Sequence, residues 1–399
     1  MKPIRLHTRD RANLSAFLRD LVRTPSPSCE EGKVATRIVR EMKELGFEDV
    51  RTDAIGNVMG RVGPPEGPTL MLNGHMDTVR VSAPDTWTQD PFGAEIKDGI
   101  LYGLGSCDMK GGLAAMIYGA KILRDSKLPL NGNVVVACVV QEETCEGLGT
   151  RTLIEESGPR PEWVVICEPT DLNVSRGQRG RLEMRVVAHG KSAHAASPHL
   201  GENAIYIAAR LIFGLELLAG QLGDDEFLGS GTLAVTEVSS SAGSRNAVPD
   251  RCTLIIDRRL TLGENETKAL SEVQRVIARE GVNADVQVSA YCTTSHTGYE
   301  CETREFYPAW VIAPDHPLVE ATVHAAQTQL KRRPQITRWG FSTEGVYTAG
   351  EANIPTVGFG PGREDIAHTA DEHVRLEDVY SAAAVYAQLA HQLLGATRP

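Results

Sequence analysis

The sequence predicts an α/β fold, a helix-covered mixed sheet, with a smaller α+β domain inserted into it. Four short runs are apolar at successive residues, which is typical of strands buried on both faces of such a sheet: TLMLN (69–73), NVVVACVV (133–140), EWVVIC (162–167) and IPTVGF (354–359). The middle of the chain differs, because RLEMRVVAHG (181–190) begins with strict alternation, the pattern of a half-buried strand. With 399 residues, the chain is long enough for more than one domain.

Helices are predicted between and beyond the apolar runs. They cover residues 11–24, 29–46, 109–126, 317–330 and 376–394. Gly46 suits the position just after the second helix, and Pro317 is a favoured first residue of a helix.

The inserted domain has its own order of elements. They are a strand at 181–190, a helix at 202–222, strands at 231–240 and 251–260, a helix at 264–280 and a strand at 284–291. This β-α-β-β-α-β order is the ferredoxin-like pattern. We therefore predict one discontinuous domain of residues 1–180 and 296–399, with residues 181–295 inserted.

Composition and net charge limit the kinds of molecule that we expect this protein to bind. Hydrophobic residues make up 41% of the chain and charged residues 23%, as in ordinary globular proteins. The formal net charge of −11 argues against nucleic acid, and we interpret the cluster of Arg176, Arg179 and Arg181 as a solvated turn. No apolar run approaches the roughly 20 residues of a membrane span, and the N-terminal stretch does not resemble a signal peptide. We therefore expect a cytoplasmic protein.

The cysteines do not form a metal or redox motif. The chain has 8 of them, and none forms a C-x-x-C pair, which excludes a zinc ribbon and a thioredoxin-like site. Several lie in apolar runs, where a free thiol packs as a small hydrophobic group. We expect all of them to be reduced.

Acidic residues and histidines follow the apolar runs. These residues are His75 and Asp77 after the first run, Glu142 and Glu143 after the second, Glu168 after the third, His368 beyond the fourth, and Asp108 just before the helix at 109–126. Sites in open α/β sheets gather at the carboxyl ends of the strands, so we expect these side chains to converge. Crowded carboxylates raise one another's pKa, and a bound cation removes that repulsion.

The donor set indicates a metal site. Histidine nitrogens together with carboxylate oxygens suit Zn²⁺, and also Mn²⁺ or Co²⁺. The number of donors exceeds the three protein ligands of a single catalytic zinc, which favours two ions bridged by a carboxylate at roughly 3.5–4 Å. Each residue alone has another interpretation, as a strand end, a surface acid, a turn residue or a loop histidine.

Two pairs of neighbouring residues suggest a division of labour. His75 and Asp77 point the same way on an extended strand, so Asp77 can accept the second N–H of a metal-bound His75. Glu142 and Glu143 should point apart, so that one binds metal and the other acts as a general base.

Five stretches resemble the motifs of the M20 family of metallopeptidases and deacylases. They are NGHMDTV (73–79), LYGLGSCDMKGGLAAMI (101–117), VVQEETCEGLGT (139–150), ICEPT (166–170) and GPGREDIAHTADEHV (360–374). This resemblance implies that His75, Asp108 and Glu168 bind one metal, and that Asp108, Glu143 and His368 bind the other. It also implies that Glu142 is the general base, that Asp77 orients the metal-bound histidine, and that the Asp108–Met109 bond is cis.

The inserted domain resembles the lid and dimerisation domain of this family. GKSAHAASPHLGENA (190–204) matches its histidine motif, so His194 is expected to enter the active site of a partner subunit and to stabilise the oxyanion. SRNAVPD and DRR match segments that bind the substrate carboxylate, which implies roles for Asn246 and Arg259. GFGPG (358–362) resembles a glycine loop beside that carboxylate and includes Gly360.

Two stretches resemble a narrower group, the hydrolases linked to selenium metabolism. They are residues 293–310 and 338–368. Glu344 stands where many relatives have Asp, and we expect it to alter the far end of the pocket.

The resemblance implies a dinuclear metal-dependent amidohydrolase that acts as a homodimer. We expect it to cleave the amide bond of a small N-acyl amino acid that carries a carboxylate, as deacetylases and desuccinylases do, with two Zn²⁺, or Co²⁺ or Mn²⁺ in their place. A dipeptidase or carboxypeptidase of the same family remains open, because these enzymes share the motifs. A non-catalytic binding protein is disfavoured by the complete set of ligands and Glu142, and a serine hydrolase by the absence of a G-x-S-x-G motif.

Overall fold

The computed structural model describes residues 3–395 and contains two principal sheets. In the first part of the chain the strands are β1 (Glu48–Thr52), β2 (Val58–Val62), β3 (Thr69–His75), β4 (Glu95–Lys97), β5 (Ile100–Tyr102), β6 (Asn133–Val139), β7 (Trp163–Ile166) and β8 (Val174–Gln178). In the middle they are β9 (Gly180–His189), β10 (Ala193–His194), β11 (Asp224–Asp225), β12 (Gly229–Ser230), β13 (Thr232–Ser240), β14 (Ala247–Val248), β15 (Arg251–Leu260) and β16 (Ala284–Val288). In the last part they are β17 (Ala290–Thr294), β18 (Glu300–Arg304), β19 (Phe306–Tyr307), β20 (Trp310–Val311), β21 (Ile336–Trp339), β22 (Thr356–Gly358) and β23 (His373–Arg375).

The described residues form eight α-helices, and all of them except α4, which was not predicted, agree with the predicted segments to within a few residues. They are α1 (Thr8–Val22), α2 (Gly32–Glu44), α3 (Gly111–Asp125), α4 (Leu148–Thr152), α5 (Ala204–Ala219), α6 (Glu266–Glu280), α7 (Pro317–Leu330) and α8 (Leu376–Leu394). Gly46 has the positive φ of 74° that suits glycine after a helix end, and Pro317 opens α7 as expected.

The larger sheet is mixed, and its central strands are buried on both faces. Its order is β1-β2-β6-β3-β7-β22-β8-β20, with β21 also paired to β8. β3 runs parallel to β6 and β7, and β22 runs parallel to β7, while β2 pairs with β6 in antiparallel fashion. Leu70 and Leu72 pack into the core under α3 and α8, whereas Met71 packs into a second core on the opposite face. The four apolar runs therefore form the central strands, and the predicted α/β class is confirmed.

The smaller sheet has the strand order of a ferredoxin-like fold. The order is β13-β15-β9-β16, all antiparallel, and β19 pairs with Arg181 and Leu182 at the start of β9, next to the part that pairs with β16. Along β9, buried residues alternate with more exposed ones, and the buried set forms one core with α5 and α6.

The division into residues 1–180 with 296–399 and residues 181–295 stays a prediction. The hairpin formed by β17 and β18 spans the predicted boundary at 295, because Ala290 pairs with Arg304 and Thr294 with Glu300. Residues 1–2 and 396–399 of the predicted larger domain lie outside the described residues.

The interpretation of the arginine cluster as a solvated turn is wrong. Arg176 lies on β8 and stacks 3.5 Å from the ring centroid of Phe227, and Arg179 donates hydrogen bonds to the carbonyl oxygen of Gly340. Arg181 lies on β9 and is largely buried beside Glu146. The glycines between these arginines suggested a turn, but both flanking segments pair with strands far away in the sequence.

No helix between residues 3 and 395 is both long enough and apolar enough to cross a bilayer.

Candidate metal centre and active site

The predicted metal ligands and Glu142 lie together at one edge of the larger sheet. β3 ends at His75, Glu142 and Glu143 follow β6, and Glu168 follows β7. Because β3 is parallel to β6 and β7, the carboxyl ends of these strands meet at the same edge. Asp108 reaches this edge from the turn that precedes α3.

Five of these residues form two overlapping sets, which we call the ligand cluster. Nε2 of His75 lies 3.0 Å from Oδ1 of Asp108 and 3.3 Å from Oε1 of Glu168. Nε2 of His368 lies 3.4 Å from Oδ2 of Asp108 and 3.0 Å from Oε2 of Glu143. Asp108 therefore presents one carboxylate oxygen to each set. The Asp108–Met109 peptide bond is cis, as the resemblance implied.

The ligand cluster fits a pair of divalent cations. Oε2 of Glu168 is buried and has no hydrogen-bond partner within the described chain. An unsatisfied buried carboxylate oxygen is unfavourable, and a cation would satisfy it. Imidazole nitrogens with carboxylate oxygens are the donors that Zn²⁺, Mn²⁺ and Co²⁺ accept.

The pKa shifts of the residues in the cluster also favour a bound cation. Burial raises the pKa of Glu142 and Glu143, and burial with the charge of Asp108 raises the pKa of Glu168 to about 8. Hydrogen bonds to Asp108 and Glu143 raise the pKa of His368 to about 11. Without a cation the cluster therefore retains protons near neutral pH, and a bound metal ion would displace them.

Asp77 contacts both His75 and the loop that carries Glu142 and Glu143. Nδ1 of His75 lies 2.9 Å from the main-chain oxygen of Asp77 and 3.5 Å from its carboxylate. The carboxylate accepts hydrogen bonds from the backbone N–H groups of Glu142 and Glu143, both at 3.1 Å, and from the hydroxyl of Ser28 at 2.7 Å. The main-chain oxygen thus makes the closer contact with His75, and the carboxylate mainly anchors the loop that follows β6.

The adjacent acids of that loop face different histidines. Glu142 is buried, with Oε2 at 3.9 Å from Nε2 of His75. Glu143 lies against His368 and also accepts the backbone N–H of Val79 at 3.2 Å. Glu142 therefore lies beside the ligand cluster on the side of His75.

A cavity of 360 Å³ opens beside the ligand cluster. Its further lining comes from β9 and β15 of the smaller sheet, with Arg181, Asp257 and Arg259, and from loops, with Glu146, Phe341 and Glu364. Arg259 forms a two-point ion pair with Asp257, through Nε at 2.8 Å and Nη2 at 3.0 Å. Of the residues predicted to bind the substrate carboxylate, Arg259 is therefore the one whose side chain faces this cavity.

The other predicted substrate residues lie elsewhere. Among residues 3–395, neither His194 nor Asn246 belongs to the cavity lining, and the two segments pair with each other as β10 and the turn before β14. Gly360 is packed so tightly that a Cβ would lie 2.3 Å from the carbonyl oxygen of Glu168. Its N–H is already donated to the hydroxyl of Thr170 at 3.0 Å. Gly360 therefore fixes the strand end that carries Glu168, a task that its glycine-loop motif did not indicate.

Comparison with known proteins identifies the family. Residues 71–392 match the model of peptidase family M20/M25/M40. The chain belongs to this family.

Its relatives cover nearly the whole chain. The Escherichia coli K12 protein YgeY is 41% identical over 95% of this chain and 94% of its own length. Succinyl-diaminopimelate desuccinylase 2 of a Ruegeria species is 30% identical over 98% of this chain and 96% of its own length. The resemblance to M20 enzymes is confirmed, and the protein is a metal-dependent hydrolase of amide or peptide bonds. The link to selenium metabolism stays a prediction.

Solved structures of the family share the fold. Aminopeptidase PepT of Bacillus cereus aligns with a TM-score of 0.71 at 22% identity, over 96% of this chain and 98% of that one. YXEP of Bacillus subtilis, described as a dinuclear metal-binding M20 peptidase, aligns with a TM-score of 0.70 at 17% identity, over 97% and 99% of the two chains.

Glu372 was missed by the sequence interpretation. It is fully buried, and its carboxylate accepts the backbone N–H groups of Gly105, Cys107 and Asp108 at 2.8–3.0 Å. It thus fixes the turn that carries the shared carboxylate of Asp108. The available signal was its place four residues after His368 in the same motif.

The expectation for Glu344 is wrong. Among residues 3–395, the cavity lining does not include this residue. It is fully buried and accepts the backbone N–H groups of Gly147 and Thr150, both at 3.2 Å. Burial raises the pKa of Glu344 to about 7. Its role is to anchor the first turn of α4 beside the active site.

Replacing Glu372 should loosen Asp108 and weaken metal binding. In Glu372→Gln an amide NH₂ takes the place of one acceptor oxygen and faces a backbone N–H, so the turn at Asp108 loses a contact. We expect metal affinity, measured by titration calorimetry, to fall by about 10–100-fold. Asp371→Asn is the matched control, because Asp371 also accepts two backbone N–H groups, those of Thr88 and Gln89. Equal affinities in wild type and Glu372→Gln would contradict this role.

Glu344 should make stability depend on pH. A buried carboxyl whose pKa is raised from 4.5 to about 7 binds its proton more tightly in the folded state. The free energy of unfolding should therefore fall by up to about 3 kcal/mol as pH rises through that window, and Glu344→Gln should lack this component. Denaturant unfolding at several pH values measures the difference, with the exposed Glu95→Gln as control. Parallel pH profiles for wild type and Glu344→Gln would refute the assignment.

Proposed function

We propose that the protein hydrolyses the amide bond of a small N-acyl amino acid, with two bound divalent metal ions and Glu142 as general base. The observation that carries this proposal is the shared carboxylate of Asp108, which offers one oxygen to each histidine, with Glu142 beside it. This is the arrangement that a two-metal hydrolase requires.

Each residue of the cluster has a task in the proposal. His75, Asp108 and Glu168 would hold one ion, and Asp108, Glu143 and His368 the other. When bound, the two ions supply Lewis-acid polarisation of the scissile carbonyl and lower the pKa of water. We propose Zn²⁺ as the ion, with Co²⁺ and Mn²⁺ as alternatives that use the same donors.

Glu142 is suited to move the proton. Its carboxylate is buried, and burial raises its pKa above the usual range, towards the value that a base working near neutral pH needs. Glu142 takes a proton from the attacking water and delivers it to the nitrogen of the leaving amine. Asp77 keeps this side chain in place through the backbone of Glu142 and Glu143.

Arg259 would bind the substrate carboxylate. Its guanidinium lines the cavity and is oriented by Asp257 through two hydrogen bonds. A cavity of 360 Å³ has room for a small acylated amino acid. The relative named succinyl-diaminopimelate desuccinylase supports a deacylase. A dipeptidase or carboxypeptidase uses the same cluster, and the substrate panel below separates these activities.

We also propose a homodimer that completes the site. The helix α5 leaves Tyr206, Phe213 and Leu217 at least 63% exposed, and β13 is an open edge of the smaller sheet. Monomers rarely leave such an apolar face and an unpaired edge uncovered. A second copy would cover them, and its His194 would approach the cavity, which lies apart from the chain's own His194. A cytoplasmic location stays a prediction.

One experiment should distinguish the contribution of the metal ions to turnover from that of Glu142. Chelator-treated wild type should be inactive and should regain hydrolysis with Zn²⁺, Co²⁺ or Mn²⁺, at close to two ions per chain. Glu142→Gln should bind the same amount of metal but lose about 10²–10⁴-fold in kcat. The assay offers N-acetyl and N-succinyl amino acids beside dipeptides, with metal content measured by mass spectrometry.

Glu364→Gln is the matched control, since it neutralises another carboxyl of the same cavity. Its kcat should stay within about 10-fold of wild type, as for a residue outside the chemistry. Turnover near the wild-type rate in Glu142→Gln would exclude it as the base. If the metal-loaded protein hydrolyses none of the substrates, the proposed function is wrong.

A trans role for His194 predicts complementation between two inactive variants. In a mixed dimer of Glu142→Gln and His194→Ala, one of the two sites has both an intact Glu142 and an intact His194. Random exchange of subunits should therefore restore about one quarter of wild-type activity, since half of the dimers are mixed. The activity of the two variants is measured before and after co-refolding. No recovery, while light scattering shows dimers, would rule out the trans arrangement.

A further inference from the structure

The hairpin of β17 and β18 packs against the loop that carries Glu142 and Glu143. It contains most of the stretch TTSHTGYECETREFYPAW (293–310), for which the proposed mechanism has no task. β17 begins two residues after β16, the last of the four strands along the smaller sheet. The hairpin therefore connects the smaller sheet directly to the neighbourhood of the proposed base.

Tyr291 of this hairpin contacts that loop directly. Its hydroxyl donates a hydrogen bond to Oε1 of Gln141 at 2.9 Å and lies 2.8 Å from the hydroxyl of Thr144. Gln141 and Thr144 immediately flank Glu142 and Glu143. Burial raises the pKa of the Tyr291 hydroxyl, which keeps it protonated and able to donate.

Gln141 needs such support because its backbone is in an unfavourable conformation. Its φ is 61°, in the left-handed region that is unfavourable for a residue other than glycine. This turn directs the chain from the end of β6 towards the ligand cluster. A side chain held at Oε1 keeps the turn from relaxing to a commoner backbone conformation.

A second contact of the same hairpin holds Gln141 from its backbone side. Glu31 is fully buried, and its Oε1 accepts the N–H of Gln141 at 3.1 Å and that of Cys29 at 3.0 Å. Its Oε2 lies 3.2 Å from Nδ1 of His296, at the tip of the hairpin. The imidazole fits against Gly56, where a Cβ would lie 2.2 Å from the ring.

We infer that Tyr291 is a positioning residue, which holds the loop of Glu142 and Glu143 in its working place through Gln141 and Thr144. Asp77 holds the backbone of the two acids on the metal side, and Tyr291 holds the residues that flank them on the other side. A base displaced by about 1 Å can lose on the order of 10²-fold in rate, so contacts of this kind matter for turnover. This inference rests on the proposed function, in which Glu142 is the base.

The test compares two tyrosines of one hairpin. Tyr291→Phe removes the hydroxyl that contacts Gln141, and Tyr299→Phe removes a hydroxyl that contacts Glu156 at 2.9 Å, away from the loop. Tyr291→Phe should lower kcat at least about 10-fold, with KM and metal content unchanged, whereas Tyr299→Phe should keep the wild-type kcat. Hydrogen–deuterium exchange should show faster exchange at residues 141–146 in Tyr291→Phe alone.

A double variant tests whether Tyr291 acts through Gln141. Gln141→Met removes the acceptor, so Tyr291→Phe combined with Gln141→Met should be no slower than the slower single variant. Multiplied losses in the double variant would overturn the assigned route. The inference is also overturned if exchange at residues 141–146 is unchanged, or if exchange rises while kcat stays within about 2-fold of wild type.

Failure of this inference is distinct from failure of the proposed function. If wild type hydrolyses its substrate and Glu142→Gln does not, while Tyr291→Phe is fully active, only the role of Tyr291 is wrong. If the metal-loaded wild type hydrolyses nothing, the proposed function is wrong and the catalytic role of Tyr291 falls with it.

Discussion

Repulsion among carboxylates at the end of three parallel strands is the constraint on which the rest of this structure depends. Glu142, Glu143 and Glu168 crowd around His75, with Asp108 beside them, and burial raises the pKa of the three glutamates. Any arrangement that keeps them together must fix each carrying loop from outside the cluster. The chain does this with further buried acids that accept backbone N–H groups, Asp77 for one loop and Glu372 for another. Such contacts hold the main chain rigidly while leaving the ligand atoms themselves free to meet cations.

The strands and helices of the fold and the residues of the ligand cluster could be predicted from the sequence, because both leave patterns within a few neighbouring residues. Runs of successive apolar residues identified the buried strands, and the acids and histidines stand within a few residues of those runs. Helix ends were accurate where the chain marks them, as with Pro317 at the start of α7. His368 follows its apolar run at a greater distance than the other ligands, and the family resemblance assigned it to a particular metal.

The remaining parts of the site depend on contacts between distant segments. Tyr291 meets Gln141 across 150 positions, and Glu372 meets Asp108 across 264. A carboxylate or hydroxyl that bonds to another segment in this way leaves no spacing that can be recognised beforehand. The arginines of β8 and β9 were misjudged for the same reason, because their glycine-rich surroundings look like a turn until the pairing strands are known. Glu344 was assigned to the pocket from its neighbours in sequence, yet its partners are Gly147, just before α4, and Thr150 within α4.

The charged wall of the cavity has a consequence for how substrate arrives. Glu146, Arg181, Asp257 and Arg259 form a row of alternating sign, with contacts of 3.1 Å, 3.4 Å and 2.8 Å between successive members. Opposite charges at this spacing largely cancel at a distance, so the row projects little field into solvent. The protein as a whole carries a net charge of −11. An anionic molecule is therefore not drawn in from afar by this wall, and Arg259 discriminates only at contact, where the shape of the molecule counts as much as its charge.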